Sequence, residues 1–368
     1  MRAEPLGPGG SAANFTETSA RARIMNKTST IKDVALKAGV STATVSFVLN
    51  NRPGEVISTR IKERVRRAAK LLEYCPSANA AGLARRRTKN VAVLFYQSTH
   101  LVSNLFYSFV IQGAIREATR REYNLMFSYV DHDYEGSVDL PKVIRERNTE
   151  GVLAVQRICP KMISDIRSRG VPVVTVDCYP RAEGVASLQM DNRRGGELLA
   201  EHLVGLGHRR IALMIGPDGR PSIDERIDGF LAAANAHGAS LSRQKALVRT
   251  AYFSFEEGYL AAKKVLRNKR RPTAIFCAND EMATGVLVAA RALGLHVPDD
   301  LSVVGFDDTT PSEFSDPPLT TAGGDKERLG SRAMDRLIDC IESGEQRPFR
   351  EDLRVELVLR HSTGPAPA

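Results

Sequence analysis

Residues Ser29 to Asn50, STIKDVALKAGVSTATVSFVLN, constrain this chain more than any other stretch. Ile31, Val34, Ala35 and Ala38 recur at i, i+3, i+4 and i+7, the apolar stripe of a short helix. Thr30 suits its N-cap, and Asp33 sets a carboxylate against the helix N-terminus. Gly39 predicts the end, because a C-terminal cap commonly needs a left-handed residue. Ser41 then caps a second helix with Val45, Val48 and Leu49 on its apolar face. Two short helices on a tight turn are helix-turn-helix grammar, in which the second helix enters the DNA major groove. Helical pairs with glycine turns also occur in ordinary cores, so the flanking sequence decides.

Ser58 caps a predicted third helix with Ile61, Val65, Ala68 and Leu72 on one face. Its other faces carry Arg60, Lys62, Arg64, Arg66, Arg67 and Lys70 against a single Glu63. The formal net charge of +9 is thus concentrated beside the candidate DNA-reading helix, where a polyanion would meet it. At 368 residues and 42% hydrophobic content, the chain has material for two or three units. Cys75, Cys159, Cys178, Cys277 and Cys340 are odd in number and form no C-x-x-C. That argues against a disulfide framework or a zinc site and for thiols in a reducing cytosol. No apolar run approaches membrane-spanning length and no signal-peptide core opens the chain, so a cytoplasmic protein without a membrane partner is expected. Residues 1–28 are rich in Gly, Ala, Ser and Thr without periodicity and read as a disordered extension.

From Val91 the texture changes to strand and helix in alternation. Stretches 91–96, 125–129, 151–155, 173–177, 211–215, 274–278 and 302–306 read as buried strands, with amphipathic helices such as 106–123 between them. Such alternation predicts parallel sheets covered on both faces, and the strand number favours two doubly wound α/β subdomains.

The run Tyr74-Cys75-Pro76-Ser77-Ala78-Asn79-Ala80-Ala81-Gly82-Leu83 follows the third helix. With it the sequence resembles the lactose-repressor (LacI/GalR) family of bacterial transcription factors. The family pattern T-I-x-D-V-A-x-x-A-G-V-S-x-x-T-V-S-x-V-L-N, then Y-x-P-x-A-x-A-x-x-L, is present at the right spacing. The resemblance covers about residues 29 to 363. It implies an all-α headpiece at 29–76, a hinge helix and linker at 77–89, and an effector-binding and dimerisation domain at 90–368. That domain is expected to be periplasmic-binding-protein-like, with one lobe from 90–188 and 323–347 and another from 189–322 and 348–364. The chain would cross near Gln189, near 319–322 and near 347–349, and the final strand, 354–359, would join the second lobe. Because the family's motif starts close to its initiator, Met25 is the expected translation start.

The resemblance assigns base reading to Thr42 and Ala43, with Ser46, Phe47 and Asn50 further along. Thr42 offers a hydroxyl and a methyl to a base edge, and Ala43 only an apolar contact. Many members carry Arg where Phe47 stands; the alternative for Phe47 is core packing beside Val45 and Val48. Tyr74 to Leu83 matches the hinge helix, whose leucine wedges between base pairs in the minor groove. Arg85 in the basic linker is expected to meet phosphate. Asn79 and Gly82 depart from the family, and Gly82 lowers helix propensity by about 1 kcal/mol relative to Ala.

For the effector, the resemblance implies Arg226 in R-x-x-G-F, Asn279 and Asp280 in A-N-D-E-M-A, and Asp307 in V-V-G-F-D-D. Phe253 stands where relatives place a ring over the ligand. Phe106 and Tyr107 lie in N-L-F-Y, with Leu replacing the family's Pro. Arg220, Ser222 and Asp177 complete the set, while Asp191-Asn192 and the G-H-R-R-I run at 207–211 are read as structural. Gly323-Gly324 departs from relatives that place a larger polar residue at this crossing. Carboxylates and Arg bind vicinal hydroxyls in pairs, and an aromatic face covers the C–H side of a ring. A monosaccharide or related small carbohydrate is therefore expected, with a purine or nucleoside second, because purine-responsive relatives use an arginine at position 220. A ligand-responsive repressor, homodimeric because one hinge helix lacks its partner, binds operator DNA in this reading. A periplasmic-type solute receptor would use the cleft but leaves the helix-turn-helix without purpose. No phosphate loop, nucleophile elbow or H-E-x-x-H is present, so no catalysis, metal or cofactor is expected.

Overall fold

The computed structural model describes residues 29–49, 57–75, 87–96, 104–130, 140–156, 158–177, 185–217 and 220–367. The expected extension 1–28, Asn50, and the hinge positions Leu83 and Arg85 lie outside the described residues. The chain divides into two compact units, residues 1–88 and 89–368.

In the first unit, α1 (Ile31–Ala38), α2 (Thr42–Leu49) and α3 (Thr59–Leu71) enclose one small core. The Asp33 carboxylate accepts from Thr30 N at 2.8 Å and the Thr30 hydroxyl accepts from Asp33 N, a reciprocal capping box. Gly39 is left-handed at φ 60°, ψ 46°, and its N–H closes α1 on Ala35 O and Leu36 O. Ser41 Oγ accepts from Thr44 N at 3.0 Å and starts α2. Val34, Ala35, Ala38, Val45, Val48, Val65, Ala68 and Ala69 are buried together. Tyr74 and Leu72 pack on the rim of that core, so the Tyr74 ring is held by the headpiece itself.

The second unit begins β1 (Asn90–Tyr96), α4 (Leu105–Arg120), β2 (Asn124–Val130), α5 (Lys142–Arg145), β3 (Gly151–Val155), α6 (Pro160–Arg167), β4 (Val173–Val176) and β5 (Ala186–Met190). It continues with α7 (Asn192–Gly205), β6 (Ile211–Ile215), α8 (Pro221–Ala236), α9 (Arg243–Ala246), β7 (Leu247–Arg249), α10 (Phe255–Leu266), β8 (Ala274–Cys277), α11 (Asp280–Ala292) and β9 (Ser302–Val304). It closes with α12 (Thr310–Glu313), β10 (Thr321–Gly323), α13 (Lys326–Ser343), β11 (Arg350–Leu353) and β12 (Glu356–Val358). The first lobe is built on a parallel sheet of order β11-β5-β4-β3-β1-β2, the second on a parallel sheet of order β7-β6-β8-β9. Every residue of β3, β6 and β8 is buried, as continuous apolar runs between two helical layers must be.

The last crossing differs from expectation. Arg350–Leu353 pairs in parallel with β5 of the first lobe, so the chain returns after Leu353 and not near 347–349. The following strand, Glu356–Val358, joins β10 in an antiparallel pair. The sequence REDL hides the first of these strands because its polar side chains are answered laterally. Arg332 binds Glu351 at 2.9 Å, and Gln189 donates to Asp352 at 2.5 Å.

Close backbone approach fixes the helix pair that carries the site. A Cβ on Gly196 of α7 would stand 2.1 Å from Arg226 O, and one on Gly229 of α8 2.1 Å from Arg193 O. Gly196→Ala is therefore expected to destabilise the second unit by about 2 kcal/mol through overpacking. Gly205→Ala in the same helix, where a Cβ meets nothing within 4 Å, should be neutral or stabilising. Urea denaturation of both variants checks this; equal effects would remove the crossing argument.

Candidate functional site

In the headpiece, Thr42 and Ala43 are exposed on the first turn of α2, while Ser46 and Phe47 are half-buried further along. Among the described residues, α2 gives Val45 and Val48 to the headpiece core, with Leu49 packed against it. One face of α2 is thus turned inward, leaving Thr42 and Ala43 outward. Asn50, Leu83 and Arg85 lie outside the described residues, and Tyr74 sits on the core rim.

In the second unit, Phe106, Tyr107, Asp177, Arg220, Ser222, Arg226, Phe253, Asn279 and Asp307 line one cavity, together with Asn104, Ile223 and Ala278. They arrive from both lobes: Phe106 and Tyr107 open α4, Asp177 follows β4, Arg220 precedes α8, and Asp307 follows β9. Asn104 was not legible as a lining residue, although its place at the head of N-L-F-Y marks it as the α4 cap, where it accepts from Tyr107 N.

Arg226 organises the floor. Its Nε donates to Asn192 Oδ1 at 2.8 Å, Nη1 to Ala278 O at 2.6 Å and Nη2 to Asp307 Oδ1 at 3.2 Å. The guanidinium carbon lies 3.6 Å over the Phe306 ring. Asn192, read from sequence as structural, is the positioning partner, and it is held in turn by donating to Met190 O. Burial pushes the Asp307 carboxyl up to about 6, although Arg226 and Lys326 act to lower it.

Asp307 and Asp308 have φ of 106° and 50°, a conformation that the surroundings must hold. Lys326 Nζ donates to Asp307 O at 2.6 Å and Asp308 O at 3.0 Å, and Arg360 donates to Asp308 Oδ1 at 2.7 Å. This explains the departure at Gly323-Gly324. A Cβ on Gly323 would stand 2.5 Å from Asp308 Cβ, and one on Gly324 2.4 Å from Arg354 O. Gly323 lies too close to the Asp307 loop for a side chain, and Gly324 too close to Arg354 O. On the opposite wall the Tyr107 hydroxyl donates to Asp177 Oδ2 at 2.6 Å, and burial first, then the Asp177 charge, raise the Tyr107 phenol well above its usual range. Arg220 lies over the Phe253 ring at 4.5 Å.

Asp280 behaves differently from the other expected ligands. Its Oδ1 accepts from the Thr321 hydroxyl at 2.6 Å, and its Oδ2 from Thr309 N at 2.7 Å. It ties α11 to the lobe crossing and lines an adjoining chamber, not the cavity around Arg226. Among the described residues no cluster fit to hold a metal ion occurs, and no helix is long and apolar enough to cross a membrane.

Comparisons with known proteins agree with both units. Residues 30–77 match the model for bacterial regulatory proteins of the lacI family, and residues 200–363 that for a periplasmic binding protein-like domain. The chain is 33% identical over 336 residues to the HTH-type transcriptional repressor PurR of Vibrio vulnificus, covering 90% of this chain and 97% of that protein. The lac repressor dimer bound to operator and the anti-inducer ONPF superimposes with a TM-score of 0.79 at 27% identity, over 92% of this chain and 100% of that one. The complex of the transcriptional regulator CelR with cellobiose does so with a TM-score of 0.65 at 28% identity, over 91% and 99%.

Burial pushes the Asp280 carboxyl up to about 7, with the Asp307 charge adding to it against the hydrogen bonds from Thr321 and Thr309. A folded-state affinity for the proton above the unfolded one stabilises the fold fully below the ordinary carboxylate range. That contribution is lost as pH rises through about 7. Relative to Asp280→Asn, the wild type should therefore lose melting temperature between about pH 5 and about pH 8. Parallel melting curves across that range would refute the assignment.

Proposed function

Because the chain belongs to the lacI family of bacterial regulatory proteins and is a DNA-binding transcriptional repressor, we propose that the cavity of its second unit takes a purine-type ring as effector. The observation that carries this reading is a pair of flat surfaces with polar groups at their edges. Phe106 and Phe253 line the cavity from different lobes, with Arg220 stacked on Phe253 and Ser222 nearby. A planar heterocycle offers faces to the phenyl and guanidinium planes, and ring nitrogens and carbonyls to Arg220, Ser222 and Asp307. The similarity to PurR repressors along nearly their whole length supports the same class. A small carbohydrate is the second reading. Arg226 paired with Asp307 is the fork and carboxylate that vicinal hydroxyls engage, and the CelR relative holds cellobiose.

Ligand binding between the lobes sets operator affinity in this proposal. Thr42 and Ala43 read base edges at the start of α2, with Ser46, Phe47 and Asn50 beyond them, while Leu83 and Arg85 engage the minor groove and phosphate. The protein acts as a homodimer, as the operator-bound lac repressor does. The exposed Phe127 and Tyr129 on the edge strand β2, with Ile115 of α4, supply an apolar face for pairing.

Calorimetry of the full-length protein with adenine, guanine, hypoxanthine, ribose and cellobiose tests the effector class. At least one purine should bind and the sugars should not, and Arg220→Ala should weaken the purine by about tenfold or more, a loss of about 1.4 kcal/mol. Binding of a sugar alone would overturn the purine reading in favour of the second. For DNA, Phe47→Arg should shift the base preference of the selected operator toward guanine without unfolding the headpiece. A melting loss of several kcal/mol in that variant would return Phe47 to the core.

A further inference from the structure

A second chamber opens off the effector cavity, and we infer that it receives a compact apolar substituent carried by the effector ring, the size of a phenyl or a branched five-carbon chain. The inference rests on the purine reading and adds to it the shape of the ligand. The two spaces share Asn104, Phe106, Asn279 and Asp307, so a group attached to a ring in one reaches the other. Beyond those residues the chamber is bounded by Leu105, Phe255, Thr284, Thr309 and Pro311. Its volume is about 180 Å³. An apolar cavity of roughly 150 Å³ holds benzene.

Most of the polar groups around the chamber are already engaged by the protein, and the Asp307 carboxylate, shared with the effector cavity, takes Arg226 on Oδ1. The Asp280 carboxylate accepts from Thr321 Oγ1, Thr309 N and Thr309 Oγ1 at 2.6, 2.7 and 3.1 Å. Thr284 Oγ1 donates to Asp280 O at 2.9 Å. Asn104 Oδ1 accepts from Tyr107 N at 3.3 Å. Asn279 Oδ1 accepts from Met282 N at 3.0 Å, and its Nδ2 donates to Phe253 O at 3.2 Å. Glu281 is exposed at the rim and has a partner of its own. A ribose or a second sugar entering here brings hydroxyls that lose water and find few partners, and unmade buried hydrogen bonds are costly. A hydrocarbon group loses nothing of this kind and meets the carbon surfaces of Leu105, Phe255 and Pro311. Leu105 bears on the choice directly. It is 38% exposed at the first position of α4, a large apolar side chain left open beside the cleft.

Calorimetry of the full-length protein with adenine, guanine and hypoxanthine, and with the same bases benzylated at nitrogen or at C8, tests the inference. At least one benzylated base should bind about tenfold or more tightly than its parent. Thr284→Phe, which fills the chamber, should remove that gain and leave the parent base's affinity unchanged. Leu105→Ser, at a solvent-facing position that folding tolerates, should reduce the gain. A parent base that binds with no gain from any benzyl position, or a gain that survives Thr284→Phe, overturns the chamber and leaves the purine reading standing. Failure of all three parent bases to bind overturns the purine reading and the chamber together.

Discussion

The second unit's cleft depends on the buried contact between Arg226 and Asp307. A guanidinium and a carboxylate taken out of water lose several kcal/mol of hydration each, and their mutual attraction offsets this only when the remaining donors and acceptors are also paired. Arg226 meets that condition with Asn192, Ala278 O and the face of Phe306. Asp307 meets it less fully. Its carboxyl is held above the ordinary range by burial in spite of two neighbouring cations. A site in this condition favours a ligand that brings hydrogen-bond donors to the carboxylate, which is a physical reason for the pair to sit where an effector enters and not in a closed core.

The rest of the unit keeps that pair in register. Gly196 against Arg226 O and Gly229 against Arg193 O let α7 and α8 approach closely enough for Asn192 and Arg226 to bond. Lys326, the first residue of α13, holds the Asp307 loop by its carbonyls, so a helix packed on the first lobe grips this loop of the second. Asp280 adds a third tie, from α11 to Thr321 at the crossing. Movement of one lobe against the other must therefore alter contacts lining the cavity proposed for the effector. That is the differential interaction a ligand needs in order to shift a conformational equilibrium.

Much of this was legible in the sequence where one residue does one local job. Thr30, Asp33, Gly39 and Ser41 announced the headpiece through capping chemistry, and the buried parallel strands announced themselves as unbroken apolar runs. The cavity residues were legible only through family resemblance, because Arg226, Asp177 and Asp307 are far apart in sequence and no periodicity links them. Three features were hidden for physical reasons. The strand at 350–353 is polar because its carboxylates pair sideways with Arg332 and Gln189. Asp280 sits in a motif beside a true lining residue, yet its oxygens are committed to threonines whose approach only the tertiary fold creates. Gly323-Gly324 looked like the loss of a ligand contact, and the structure gives the reason as a close backbone passage.

The central claim is that ligand in the cleft and operator on the headpiece are energetically coupled, and linkage makes it measurable in a single box. Operator affinity is determined with and without the saturating purine, and purine affinity with and without operator, at one salt concentration. The account predicts that the two ratios are equal and differ from one by about fivefold or more. A purine that binds tightly while operator affinity stays the same at every ligand concentration would contradict it.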